Sequence, residues 1–200
     1  MPRFTRAFLY MEELKMKKTK LDLRALIVMS VFAAISIVLV YLIRFPIFPA
    51  VSYLTYDPAD ITIFLCAMLI SPVLSLILTL VVALIQAAIF DPASFPFGPV
   101  MHLIATGVAA FVCGIIYRRI KNIKGAIIGL AGAVVSATAI MIPLNLLITP
   151  LQYTVPVSVV IDLLPYIIAF NLVKFGINAA VTGVLFKPVS LILPKAGIDT

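Results

Sequence analysis

Between Asp60 and Asp91 the chain runs for 30 residues without a charge. One α-helix of that length would reach ~45 Å at 1.5 Å per residue, well beyond the ~30 Å hydrocarbon core that about 20 apolar residues span. Ser71-Pro72 breaks the run near one third of its length. The expectation is a short helix to about Ser71 and a second from Pro72 to about Phe90. Further apolar runs occupy 25–43, 98–117, 125–150 and 163–186, which brings the expected total to six helices. A second helix of about a dozen residues spans the core only if neighbours thin it or fill the remaining depth.

Composition fits a chain whose solvent is lipid. It is 64% hydrophobic and 12% charged, against roughly 45–50% and 25% for a soluble domain. That balance excludes disorder, a nucleic-acid-binding module, a disulfide scaffold and a soluble enzyme core. Cys66 and Cys113 sit alone in apolar runs and read as small buried hydrophobes. With one His and no C-x-x-C, ligands for a dedicated metal site are missing.

The net charge of +7 is a topology signal, because short loops rich in Lys and Arg stay cytoplasmic. Five crossings would strand Arg118, Arg119, Lys121 and Lys124 outside. Six crossings place 13 of the 15 basic residues inside, leaving Arg44 in the first outer loop and Lys174 within the last helix. Asp57, Asp60, Asp91 and Asp162 then face outward. The expected fold is an all-α integral membrane protein of six transmembrane helices, both termini cytoplasmic, with a short second helix. Residues 1–24 form a cytoplasmic lead-in, 25–190 one six-helix membrane domain, and 191–200 a cytoplasmic tail. Met11 and Met16 leave a downstream translation start open, and the lack of a small-residue cleavage site after the first run argues against a signal peptide.

Lys174 stands out, since a lysine at a helix centre costs about 2.5–3.5 kcal/mol on insertion scales and marks a functional position by default. Asn171, Lys174 and Asn178 follow i, i+3, i+7 spacing and share one helical face. Gln86, His102 and Asn145 come to the same outer half of the bundle. Singly, such residues serve as inter-helix hydrogen-bonding glue; converging, they make a small-molecule site. The partner of Lys174 is Asp57, Asp60 or a ligand. The loop from Arg44 to Ala59 carries Phe45, Phe48, Tyr53 and Tyr56 with Pro46, Pro49 and Pro58, and reads either as a lid over a flat ligand or as an interfacial aromatic belt.

No Walker A loop, G-x-S-x-G, H-E-x-x-H or intramembrane acid pair is present. A coupled carrier would be expected to hold acidic or His relay groups and to be built of repeats. An intramembrane enzyme would need a nucleophile or paired acids.

The segments Y-L-T-Y-D-P-A-D-I at 53–61, S-P-V at 71–73, F-G-P at 97–99, L-N-L at 144–146 and P-Y-I-I-A-F-N-L-V-K at 165–174 resemble the S component of an energy-coupling-factor (ECF) vitamin transporter. The likeness runs from about residue 25 to 190 and is greatest to the riboflavin-binding type. It implies a subunit of a prokaryotic plasma membrane that captures riboflavin at the outer face and carries no cofactor of its own. Its partners would be the membrane scaffold subunit EcfT and two cytoplasmic ATPases, which would supply the missing engine. By motif, Asn145, Asn171 and Lys174 would bond the polar edges of the flavin, with His102 beside them in the site. Leu54, Tyr56, Asp57 and Asp60 would belong to the covering loop. Small residues at four-residue spacing in the first helix, Ser30 and Ala34, would meet the scaffold subunit.

The chain departs from the riboflavin pattern at two places. His102 replaces the usual Asn of the G-P-x-x-N segment, and Val82 and Ala83 replace a Lys-Asn pair in the third helix. Sister S components for pantothenate and other small vitamins share the scaffold, so a changed wall leaves another vitamin open as ligand. A self-sufficient small-solute carrier is the rival from a different class.

Overall fold

The structure, a computed structural model, describes residues 23–197. The expected lead-in therefore lies almost wholly outside the described residues. These residues form six α-helices: α1 Leu23–Leu42, α2 Asp60–Leu69, α3 Pro72–Phe90, α4 Phe97–Arg119, α5 Ile123–Tyr153 and α6 Val157–Ile192. Five of them are long and apolar enough to cross a membrane, and α2 is not. The last helix runs past the expected limit at residue 190 and continues as a 3-10 turn, Leu193–Ala196.

The break between α2 and α3 has a local cause. Ser71 adopts an extended backbone, and its hydroxyl accepts from the Val73 and Leu74 N–H groups, while Pro72 takes the first helical position. That pairing satisfies two orphan donors and removes a third. At the start of α5, Asn122 does the same for the Gly125 N–H at 3.0 Å.

α2 is the hub of the bundle. All ten of its residues are buried, and it packs against α1, α3, α4 and α6. At 1.5 Å per residue it is ~15 Å long, about half the hydrocarbon thickness. A helix enclosed by protein on every side need not reach both interfaces, because no backbone of its own meets lipid. Close contact on one side is set by Gly114 of α4, where a Cβ would come within 2.6 Å of the Ala67 carbonyl. Gly129 of α5 approaches the Cys113 carbonyl similarly, at 2.8 Å. Cys66 and Cys113 are both buried and unbridged.

Outward faces carry the opposite pattern. Val31 and Val38 on α1, Leu80 and Leu84 on α3, Leu147 and Leu151 on α5, and Val184 on α6 are exposed, as required of side chains whose solvent is lipid. Between α1 and α2 lies an element the sequence did not suggest, a two-residue antiparallel hairpin. Its strands, β1 Phe45–Pro46 and β2 Thr55–Tyr56, pair Phe45 with Tyr56 and Pro46 with Thr55.

The charges segregate by end. Arg44 pairs with Asp91 at 3.5 Å and donates to Thr55 Oγ1 at 3.2 Å, all at the hairpin end. At the other end Arg118 donates to the Ile70 carbonyl and Arg24 to the Gly197 carbonyl. Arg119, Lys121, Lys124, Lys187 and Lys195 lie at that same end, by their places near the ends of α4, α5 and α6, in the α4–α5 connection and in the 3-10 turn.

Candidate functional site

Because α2 stops short, the depth above its N-terminus is left for other groups. A cavity of about 150 Å³ lies there, bounded by the hairpin loop and by α3, α4, α5 and α6. Of the residues singled out in the sequence, Leu54, Asp57, His102, Asn145, Asn171 and Lys174 line it, as does Gln86. The loop thus covers the cavity: Tyr53, Leu54 and Thr55 face in, and Phe45 is half exposed on the outside. Tyr53 packs at a tilt of 54° against Tyr153 at the end of α5, with ring centroids 5.1 Å apart. Leu54 and Val51 pack with Val160, Leu163, Leu164 and Ile167 of α6.

Tyr56 and Asp60 do not line the cavity. Asp60 belongs to α2 rather than to the covering loop, and it is fully buried. Its carboxylate accepts from Thr106 Oγ1 at 2.8 Å and from Asn178 Nδ2 at 2.9 Å. Tyr56 donates its hydroxyl to Asn178 Oδ1 at 2.9 Å. Both therefore serve a polar layer beneath the cavity. Asn178 is its keystone, since its amide also donates to the Asp57 carbonyl at 2.9 Å.

Lys174 joins this layer to the cavity. Its ammonium donates to Asp57 Oδ2 at 2.7 Å and lies 4.0 Å from Asp60. Both members of the closer pair are largely buried, with side chains 10% and 8% exposed, so the lysine's charge is matched within the protein. Burial alone would push the Asp57 carboxyl up; the adjacent Lys174 ammonium overrides that and holds it below the usual carboxylate range. An ammonium has three donors, so the ion pair does not exhaust Lys174. Asn145 and Asn171 are each steadied through Nδ2 on the carbonyl one turn back, Met141 and Ile167, both at 2.8 Å. Thr149 donates to Asn145 Oδ1 at 3.1 Å.

The sequence reading left Thr106, Thr149, Met141 and Phe170 out of the lining. Thr106 and Thr149 lie one turn beyond His102 and Asn145, so i+4 spacing was the available signal for them. Of the two residues where a Lys-Asn pair was expected, Ala83 lines the cavity and Val82 is buried away from it.

The family profile for the ECF transporter, substrate-specific component, matches residues 24–187. The chain belongs to this family. It is similar to a solved structure of the S component of a bacterial ECF transporter, with a TM-score of 0.74 and 27% identity over 84% of this chain and 96% of that one. No curated protein matches the sequence. As an S component, the chain is a multi-pass membrane subunit that binds a small-molecule substrate for an ECF module and is not an enzyme. Ser30 and Ala34 are exposed on the outer face of α1, where Ser30 donates to its own Leu26 carbonyl at 2.9 Å.

Proposed function

We propose that this S component captures riboflavin in the cavity under the hairpin loop and delivers it with a scaffold subunit, EcfT, and two cytoplasmic ATPases. The observation that carries the reading is the convergence of Asn145, Asn171 and Lys174 on that cavity. An amide offers a donor beside an acceptor, which complements the alternating carbonyl and N–H groups on the pyrimidine edge of a flavin. The remaining ammonium donors of Lys174 suit a flavin carbonyl. The hairpin end is assigned to the outside of a prokaryotic plasma membrane, since Arg24, Arg118, Arg119, Lys121 and Lys124 gather at the other end. The exposed small residues Ser30 and Ala34 are assigned to the scaffold contact, where they permit close helix approach.

Riboflavin fluorescence, titrated with purified protein, is expected to quench to a one-to-one endpoint. In liposomes the chain alone is expected to bind the vitamin without passing it across. Absence of quenching overturns the riboflavin assignment, and movement of solute by the chain alone overturns the capture role. A second reading, another small vitamin such as pantothenate, is favoured by His102 and by Ala83 on the α3 wall. Thermal stabilisation by pantothenate with none by riboflavin would select it.

A further inference from the structure

The residues picked out by motif hold part of their hydrogen-bonding capacity within the protein, as the Lys174–Asp57 pair and the Asn145 and Asn171 amides show. His102, placed beside them by the resemblance, and two residues outside that group each hold a polar atom with no partner. Gln86 Nε2 on α3, His102 Nε2 on α4 and Tyr53 Oη on the covering loop are buried and lack any hydrogen-bond partner. All three residues line the same cavity. A buried polar atom left unpaired costs about 1–3 kcal/mol, so three around one cavity indicate groups meant for something that enters it.

Their placement separates them from the motif residues. Gln86 and His102 line the cavity from α3 and α4, whereas Asn145, Asn171 and Lys174 line it from α5 and α6. Their chemistry differs too. A carboxamide N–H donates, a neutral imidazole nitrogen donates or accepts according to its tautomer, and a phenol does both. None brings a fixed charge. Such a set fits a group that both gives and takes hydrogen bonds and is itself neutral, namely a hydroxyl. The cation at this side of the cavity, Arg44, is already matched by Asp91 at 3.5 Å, so an entering carboxylate or phosphate would compete with that carboxylate. Ala83 and Ala87, one turn or less from Gln86 on the lining face of α3, leave room for a chain to lie against it.

We infer that Gln86 and His102, with Tyr53 closing from the loop, form a hydroxyl-reading wall that sets specificity by engaging the polyol chain of the substrate. The inference rests on the riboflavin reading above.

Binding of riboflavin and of lumiflavin, the same ring system with a methyl group in place of the polyol, separates the two ideas. The proteins compared are the wild type, Gln86→Leu, His102→Leu and the double variant. Wild type is expected to prefer riboflavin by about tenfold or more, on the scale of one or two buried hydrogen bonds. Each single variant is expected to lose about threefold to tenfold in riboflavin affinity while binding lumiflavin as wild type does. Because each change removes an unpaired buried group, the ligand-free variants are expected to melt no lower than wild type. Retained lumiflavin binding also certifies that they fold. If wild type binds both flavins and the variants keep its preference, or lose both ligands in parallel, the hydroxyl-reading wall is overturned and the riboflavin reading stands. If wild type binds neither flavin, the riboflavin reading itself falls, and the assignment of a polyol falls with it.

Discussion

Lys174 shows how a costly residue is made tolerable. Its charge meets Asp57 at 2.7 Å with both side chains largely buried, and removing one member of a buried pair typically costs about 3–5 kcal/mol because the other is left uncompensated. Lys174→Ala is therefore expected to lower the unfolding midpoint in detergent markedly as well as to weaken binding. The double variant Asp57→Asn/Lys174→Gln should recover most of that stability while flavin affinity stays at least tenfold down, a drop of about 1.4 kcal/mol. If affinity recovers with stability, Lys174 does not contact the ligand. Asn178 is expected to behave differently. Asn178→Ala leaves Asp60, Tyr56 and the Asp57 carbonyl each short of a partner, at about 1–3 kcal/mol per group, yet the residue does not line the cavity. A melt of the folded protein should fall while its affinity changes little. The i, i+3, i+7 stripe of Asn171, Lys174 and Asn178 was legible in the sequence because helical spacing alone puts the three on one face. That its lower member serves the layer under the cavity was not legible, since this depends on where α2 begins.

At the level of elements, the short second helix was readable from one Ser-Pro break and the charge count. Its role as a hub was not, because burial on all sides comes from α1, α3, α4 and α6 closing around it, a property of the assembled bundle. The same holds for the hairpin: lid and belt look alike in sequence, and only the packing of Leu54 on α6 and of Tyr53 on Tyr153 distinguishes them. The tight α2–α4 contact yields a paired prediction. Gly114→Ala drives a methyl group to 2.6 Å from the Ala67 carbonyl, so a loss of about 1–3 kcal/mol from overpacking is expected. At Gly176 of α6 nothing lies within 4 Å of an added Cβ, so Gly176→Ala should be neutral or gain up to about 1 kcal/mol from helix propensity. Thermal unfolding of the two variants in one detergent checks both; equal effects would contradict the close packing at Gly114.

For the whole molecule, the separation of charge predicts orientation. In intact cells a membrane-impermeant thiol reagent should label Ser52→Cys, exposed on the hairpin loop, and leave Lys121→Cys untouched until the cells are broken. Cys66 and Cys113 are buried and should contribute no background. The reverse pattern would turn the cavity toward the cytoplasm and end the capture role. Family membership was legible because its motifs fall at the ends of helices that the apolar pattern already delimits. Which vitamin the site takes was not legible, because α3 and α4 depart from the riboflavin pattern at Val82, Ala83 and His102. The most direct measurement is the absorbance spectrum, from the near ultraviolet into the blue, of protein purified in detergent from cells that make riboflavin. A yellow protein with flavin bands in constant proportion to protein is the predicted result; a colourless protein that also leaves added riboflavin fluorescence unquenched would contradict it.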